Sequence, residues 1–425
     1  MASTKHPRPQ ESVKPKVISL FSGAGGMDYG FEAAGFETAV AAELNHDCCE
    51  TLRHNRSWEV VEGDILDVPT DQLLERGSLK REYVDLLIGG PPCQPFSKAG
   101  YWFKGDSRRL EDPRAQTLHA YVRIVEEALP RVFVLENVEG LAYSGKDEGL
   151  QFLLSEIQKI NKKTGSKYTP TFAVLNAADH GVPQLRARLF VVAARDGTVL
   201  KFPAPTHGSD EGITNVLPGM GPQLHRTVWD AIGDVQPGKD EDLDIRGKWA
   251  DLLPTIPEGQ NYLWHTNRGG GTPLFGWRRR YWGFLLKLAK NRPSWTIQAQ
   301  PGPAIGPFHW DNRRLSMREL CRIQTFPDTV DIIGGRTSVQ RQLGNAVPSL
   351  LAEIVGRAVR TQLLGLPALS AEPLLLPPRR GPVPAATSFV TNIPKKFRDL
   401  IGDHSDHPGT GKGNGAMLRA AAAET

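Results

Sequence analysis

Residues 89–97 read Gly-Gly-Pro-Pro-Cys-Gln-Pro-Phe-Ser, which puts one thiol, Cys93, directly behind two prolines. A cysteine thiolate is accessible near neutral pH and is strongly nucleophilic. The run before it, 84–88, is apolar with Asp85 inside and reads as a buried strand. Two prolines must end that strand, because proline gives no ladder hydrogen bond and fixes its own φ. Cys93 is therefore expected on a stiff turn at the carboxyl end of a strand, where open α/β sheets hold their ligands. A free cysteine is more commonly a small buried apolar residue. The turn chemistry favours the reactive reading here.

A second group of residues outlines a different ligand. Phe21-Ser22-Gly23-Ala24-Gly25-Gly26 follows an apolar run and precedes a helical pattern. Glycines at that junction let a ligand approach the backbone at a helix N-terminus. The turn departs from the dinucleotide fingerprint, because Asp28 stands where a third glycine is required. That argues against a nicotinamide dehydrogenase. Glu43 closes the next apolar run, where a carboxylate grips ribose hydroxyls in nucleoside-binding sheets. Asp64 follows a third run and can accept from an adenine amino group. Either acid alone reads as a surface charge. At the ends of successive strands they outline a nucleoside pocket without a pyrophosphate site. The four cysteines, Cys48, Cys49, Cys93 and Cys321, include no CxxC pair, so no metal site is indicated.

These residues need a scaffold that ends several strands side by side. Apolar runs at 17–21, 37–42, 60–61, 84–88, 132–135, 172–175 and 189–193 alternate with helical patterns, including 45–54 and 116–128. The alternation predicts an α/β fold built on a doubly wound, mostly parallel sheet. After about residue 204 glycine and proline become dense. Between residues 262 and 314 there are nine Lys/Arg against one acid, Asp311, and five of the nine tryptophans. A cationic, aromatic segment suits phosphate and base contacts, although the tryptophans could equally form an irregular core. Helical patterns return at 317–324 and 349–364. From residue 366 the chain is rich in Pro, Gly and Ala, and 409–415 reads as disordered.

The bulk numbers set bounds. The 425 residues allow two or three domains with sizeable cores. A net charge of +4, with 40% hydrophobic and 23% charged residues, is ordinary for a water-soluble chain and names no partner. Free thiols fit a reducing cytosol. No secretory signal is seen at the N-terminus, and no apolar run approaches the roughly 18 residues that span a bilayer. A cytoplasmic, monomeric protein with no membrane partner is expected.

Taken in order, the short motifs closely resemble those of the DNA (cytosine-5)-methyltransferases. They are Phe21-Ser22-Gly23-Ala24-Gly25-Gly26, Glu43, Gly63-Asp64-Ile65, Pro91-Pro92-Cys93-Gln94, Glu136-Asn137-Val138, Gln184-Leu185-Arg186-Ala187-Arg188, Arg318-Glu319 with Gln324-Thr325-Phe326-Pro327, and Gln342-Leu343-Gly344-Asn345-Ala346-Val347-Pro348. Each is short, but their joint order over 17–356 is specific. The resemblance says little about 200–310 and nothing about the first 16 residues or the segment after about 365.

The resemblance implies a Rossmann-like domain that binds S-adenosyl-L-methionine, a smaller irregular target-recognition domain, and double-stranded DNA between them. The expected division is an N-terminal extension over 1–16, a discontinuous catalytic domain over 17–200 and 340–365, a target-recognition domain over 201–339, and a tail over 366–425. Ile65, Pro92, Asn345, Ala346 and Val347 would join the glycine turn, Glu43 and Asp64 around the cofactor. Cys93 would add to C6 of a cytosine and make C5 nucleophilic. Glu136 would protonate or hydrogen-bond N3, a task suited to a partly buried carboxyl. Arg188 would hold the cytosine O2 edge and orient Glu136, and Arg186 would support Cys93 or its loop. A stacked base hides C6, so the target must be flipped out.

The polar, basic stretch 94–114 reads as a loop closing over DNA behind Cys93. Gln94, Ser97 and Lys98 within it are candidate DNA contacts, with Arg278, Arg279 and Arg280 in the cationic segment. The absence of large appended regions favours the modification half of a restriction–modification pair, working beside a restriction endonuclease in a bacterial cytoplasm. Two rival readings are a tRNA cytosine-5 methyltransferase on the same scaffold and a catalytically silent DNA-binding regulator. The size of the cationic segment argues against the first. Intact Cys93, Glu136, Arg186 and Arg188 argue against the second.

Overall fold

The computed structural model of the protein describes residues 14–92, 116–142, 148–209, 222–239, 241–276, 280–370 and 372–402. Seven strands form its central sheet: β1 (Lys16–Leu20), β2 (Glu37–Glu43), β3 (Glu59–Glu62), β4 (Leu86–Gly89), β5 (Val132–Val138), β6 (Thr171–Asn176) and β7 (Ala187–Ala194). Their order is β3-β2-β1-β4-β5-β7-β6. The first five are mutually parallel, and β7 runs antiparallel between β5 and β6. This is the α/β, mostly parallel sheet expected from the alternating pattern.

Apolar residues cover both faces, as parallel sheets require. On one face Ile18, Leu20, Leu87, Phe133 and Val191 pack with α3 (Thr70–Arg76), α4 (Gln116–Ala128) and α5 (Glu148–Thr164). On the other, Val17, Leu86, Ile88, Val134 and Phe190 meet α1 (Gly26–Ala33) and the late helix α9 (Ser349–Ala358). Thus α9 returns from the far end of the sequence to lie on α1, against the first strands. Between β2 and β3 runs α2 (His46–Asn55), capped by Asn45, whose side chain accepts from the Cys48 N–H.

Several boundaries differ from expectation. The strand expected over 132–135 continues to Val138, because its ladder with β7 runs on to pair Val138 with Arg188. Glu136 is therefore inside a strand, paired with Phe190 of β7 one residue beyond the last partner in β4. The helix expected over 349–364 stops being α-helical at Ala358 and finishes in a π-helical turn, Val359–Leu363. Four helices were not anticipated: α3, α5 and the two later helices over Val228–Ile232 and Arg336–Asn345. α5 buries Leu150, Leu153, Ile157 and Ile160 along one stripe. α8 (Arg336–Asn345) is mostly polar and buries little beyond Val339, Gln342 and Leu343.

Beyond β7, α6 (Val228–Ile232), α7 (Met317–Ile323) and α8 share an apolar cluster with Trp310, Ile297 and, from the sheet side, Ala24 and Tyr29. A separate core gathers Leu252, Leu253, Tyr262, Phe275, Phe284 and Phe308. Ile393 and Phe397, from the Pro-rich C-terminal segment, are buried in that same core. Residues 372–402 thus run as a strap across the molecule, anchored by hydrogen bonds to Glu353, Asp230 and Glu258.

Candidate active site

Glu136 is carried by β5 between β4 and β7, and is 8% exposed. The antiparallel register pairs Glu136 with Phe190 and Val138 with Arg188, so Arg188 is its diagonal neighbour on the same face. The Arg188 Nε donates to Glu136 Oε1 at 2.8 Å. Burial pushes the Glu136 carboxyl above its ordinary value, and the charges of Arg188 and Arg186 pull against that rise. The result is a buried carboxyl that is easier to protonate than one in water.

The turn leading to Cys93 is fixed beside this pair. The Asn137 side-chain amide donates to the Pro91 carbonyl at 3.1 Å, and both residues are buried. Thr117 Oγ1 donates to the Pro92 carbonyl at 3.2 Å. A Cβ placed on Gly90 would lie 2.9 Å from Glu136 Oε2, so only glycine lets this backbone cross the carboxyl so closely. Cys93, Gln94, Ser97, Lys98 and the 94–114 loop lie outside the described residues, as do Arg278 and Arg279.

Arg186 is 2% exposed and works as a brace. Its Nη1 donates to the Ile297 carbonyl at 3.1 Å and its Nη2 to the Gly344 carbonyl at 2.7 Å. Gln184, fully buried, adds a parallel tie. Its Oε1 accepts from the Ile297 N–H at 3.1 Å and its Nε2 donates to Gln324 Oε1 at 3.0 Å. Gln324 in turn donates to the Leu343 carbonyl. Motifs far apart in sequence are thus joined by side chain to carbonyl bonds. The small residue Gly344 permits this, because a Cβ there would sit 2.4 Å from the Ala299 backbone.

At the ends of β1, β2 and β3 lie the residues expected to outline a nucleoside pocket. The Glu43 carboxylate accepts from the Gly23 N–H and the Asn45 N–H, each at 2.8 Å, and so holds the glycine turn against the next strand. Asp64 Oδ1 accepts from the Leu66 N–H at 3.0 Å. Phe21, just before the turn, has a positive φ of 54°, a costly state for a residue with a side chain, of the kind that clusters at ligand sites. Ser22 is held by a 2.8 Å hydroxyl contact to Ser19. Gly25 and Gly26 are buried, and Ala24 is 1% exposed. A Cβ on Gly26 would come within 2.4 Å of the Val347 carbonyl, which places Ala346 and Val347 directly against the start of α1. Asn345 beside them is exposed. The Ile65 side chain is turned into the sheet core. The apolar side chains that do face outward beside the two acids are Leu44, 65% exposed, and Leu66, 42% exposed. Sequence reasoning missed both, although each directly follows a singled-out residue or motif.

The sequence model of the C-5 cytosine-specific DNA methylases matches residues 15–361. The chain belongs to this family. The methylase is 42% identical to the type II methyltransferase M.SacI of Streptomyces achromogenes, across 82% of its own length and 93% of that protein's. It is 34% identical to the type II methyltransferase M.NgoFVII of Neisseria gonorrhoeae, across 79% of this chain and 84% of that one. Its fold is also that of a putative DNA modification methyltransferase from an E. coli prophage, with a TM-score of 0.56 at 21% identity, covering 82% of this chain and 99% of the other. It is therefore a DNA cytosine-5 methyltransferase.

Of the three consecutive arginines 278–280, Arg280 lies among the described residues and is exposed. Its guanidinium lies over the Phe284 ring at 5.4 Å and the Trp249 ring at 5.6 Å. Trp282 and Trp295, 53% and 42% exposed, meet edge to face at 5.5 Å. Trp295 follows Ser294, which bridges to Gln184. The methylase therefore presents an aromatic ledge next to the strand that bears Arg188. Tryptophans 264 and 310, by contrast, pack into or against cores.

Proposed function

We propose that this enzyme methylates C5 of a specific cytosine in double-stranded DNA, using S-adenosyl-L-methionine and a covalent bond from Cys93 to C6 of a flipped-out base. The observation that carries the reading is the buried Glu136–Arg188 pair, set beside the Pro91-Pro92 turn that leads into Cys93.

The pocket residues fit the methyl donor. A Cβ on Gly23 would meet nothing within 4 Å, so the turn opens to a ligand rather than to protein. Two carboxylates at adjacent strand ends, flanked by exposed Leu44 and Leu66, suit a ribose, an adenine edge and an apolar ring face. Phe21 to Gly26, Glu43, Asp64, Ile65, Pro92, Asn345, Ala346 and Val347 would hold it, and when bound it supplies an electrophilic methyl group.

The protein's own groups do the rest. The Cys93 thiolate adds to C6, and the electron pair displaced toward N3 needs a proton there. Glu136, with its raised pKa, holds that proton, and Arg188 keeps the carboxyl aimed while contacting the O2 edge. Arg186 holds the frame of segments 184–188, 297 and 344. Once C5 carries the methyl group, loss of the C5 proton and departure of the Cys93 sulfur regenerate the ring.

We also propose the division into a catalytic domain over 17–200 and 340–365 and a target-recognition domain over 201–339. The type II names of the relatives support a protective role against a cognate endonuclease in a bacterial cytoplasm. No helix among the described residues is long and apolar enough to cross a membrane. The test is methyl incorporation from a labelled donor into unmethylated DNA and into tRNA. DNA should be labelled, bisulfite sequencing should locate one cytosine context, and Cys93→Ser should bind DNA without turnover. Labelling of tRNA alone, or ordinary turnover by C93S, would overturn the reading.

A further inference from the structure

A cavity of about 370 Å³ opens between the 297–308 segment, α7 and α8. Its floor is apolar, with Ile297, Phe308, Leu315 and Leu320 all buried. Its rim is cationic. Arg314 and Arg336 both line it, and among the described residues neither guanidinium makes a hydrogen bond or an ion pair. The first turn of α8 lines it too, through Arg336 and Thr337. The N-cap of this ten-residue helix is Gly335, which has no side chain to accept from the first turn.

Three positive features therefore converge on one space. Burial and the like charge of Arg314 hold the Arg336 guanidinium below its ordinary value, offset in part by Glu241, Asp242 and Glu319. Those acids are engaged elsewhere. Glu241 accepts from the Met317 N–H, Asp242 pairs with Arg246, and Glu319 pairs with Arg313. Two adjacent guanidiniums with unspent donors, beside a helix N-terminus, call for an anion, and their forked geometry matches phosphate. The apolar floor calls for a body attached to that anion. Cavities of roughly 300–1,000 Å³ hold small organic groups, and this volume accommodates a nucleoside.

The floor is continuous with the active site. Ile297 gives its carbonyl to Arg186 and its N–H to Gln184, and Gln340 on the rim donates to the Gln298 carbonyl at 2.6 Å. We propose that this cavity is a second nucleotide subsite, which takes one phosphate-bearing nucleotide of the DNA outside the target cytosine. The inference rests on the DNA-methylating function proposed above.

The test is a scan of single methylphosphonate substitutions through a duplex containing the methylated context, read as kcat/KM. For the wild type, neutralising one or two phosphates should lower kcat/KM roughly tenfold to a hundredfold, as for charge-assisted hydrogen bonds. In the Arg314→Met/Arg336→Met variant those same positions should become insensitive, while binding of the methyl donor is retained. Arg314→Lys/Arg336→Lys, which keeps the charge, should recover part of the sensitivity and guards against a folding defect. Wild-type methylation with every phosphate still sensitive in the Met variant would overturn the subsite alone. Inhibition of the wild type but not the variant by free deoxycytidine monophosphate, with no phosphate position coupled, would assign the cavity to a free nucleotide and overturn the DNA occupant. Absence of wild-type DNA methylation would overturn both this subsite and the function it rests on.

Discussion

Replacing Arg188 by methionine keeps a long flexible side chain but removes the charge 2.8 Å from Glu136. In the wild type, burial raises the Glu136 pKa and the Arg188 charge is the largest of the opposing effects. Without it the carboxyl takes up a proton rather than remain a poorly compensated buried charge. The sign follows from linkage. An acid whose folded pKa lies above its unfolded value costs nothing while both states are protonated, and the cost grows as pH climbs from the unfolded pKa to the folded one. From the ordinary value of 4.5, keeping the group neutral at pH 7 costs at most about 3.5 kcal/mol, and at pH 5 less than about 1 kcal/mol. Removing the guanidinium also removes its own burial cost, so the pH slope is more diagnostic than the offset. Equilibrium urea unfolding of wild type, R188M, E136Q and the double variant should be measured from pH 5 to 8. The gap between R188M and wild type should widen toward pH 7, and the double variant should not show that widening relative to E136Q. A pH-independent gap, or the same slope in both pairs, would refute the assignment of Glu136 as a carboxyl held down by Arg188.

Two further perturbations probe the frame around the site. Asn137→Ala removes the bond to the buried Pro91 carbonyl, and should lower kcat about tenfold or more through the loss of about 1–3 kcal/mol of turn positioning, with methyl-donor affinity unchanged in calorimetry. Phe397→Ala removes a ring that is 1% exposed and stacked on Trp249 at 5.4 Å. It should destabilise the small core by about 3–5 kcal/mol, seen as faster limited proteolysis within 244–310 while β-sheet signals persist.

Much of the site is legible in the sequence because it depends on local rules. Strand ends are marked by glycine and proline, and acids at those ends can be read without knowing any partner. Glu43, Asp64 and the turn before Cys93 are found this way, whereas Glu136, which lies inside β5 rather than at its end, enters only through the resemblance of its motif. The Arg186 brace is not, because its acceptors are the carbonyls of Ile297 and Gly344, and a carbonyl has no residue type. For the same reason Gln184 looks like an ordinary polar residue until its buried amide is seen to tie its own segment to two others, at Ile297 and at Gln324. α5 is a different case. Its stripe of Leu150, Leu153, Ile157 and Ile160 was present as a helical period. α8 carried no such signal, since its ordering comes from packing at its end and from Gln342, which accepts from Thr51 and donates to the Ile333 carbonyl.

The strap over 372–402 shows most clearly how order can arise without periodicity. Dense in proline and without a regular apolar period, it resembles a linker. Its register is set by buried carboxylates on the body. Glu353, fully buried in α9, accepts from the N–H groups of Leu374 and Leu375 at 2.7 and 2.9 Å. Asp230 accepts from Arg379 and from the Arg380 N–H at 3.0 and 2.9 Å. Glu258 accepts from the Thr387 N–H at 2.8 Å while pairing with Lys290, whose Nζ also donates to Thr387 Oγ1. These acids are buried, so an unmet bond at any of them is costly. A slip by one residue would break all three sets together and withdraw Ile393 and Phe397 from their pockets. Proline supports this arrangement by narrowing the unfolded alternatives, so less entropy is lost when the segment docks. The strap lies beyond residue 361, where the family match ends, yet it supplies buried residues to a core that the matched region leaves open. Its order is fixed by the partners already in place, and that is why no pattern within the strap itself announces it.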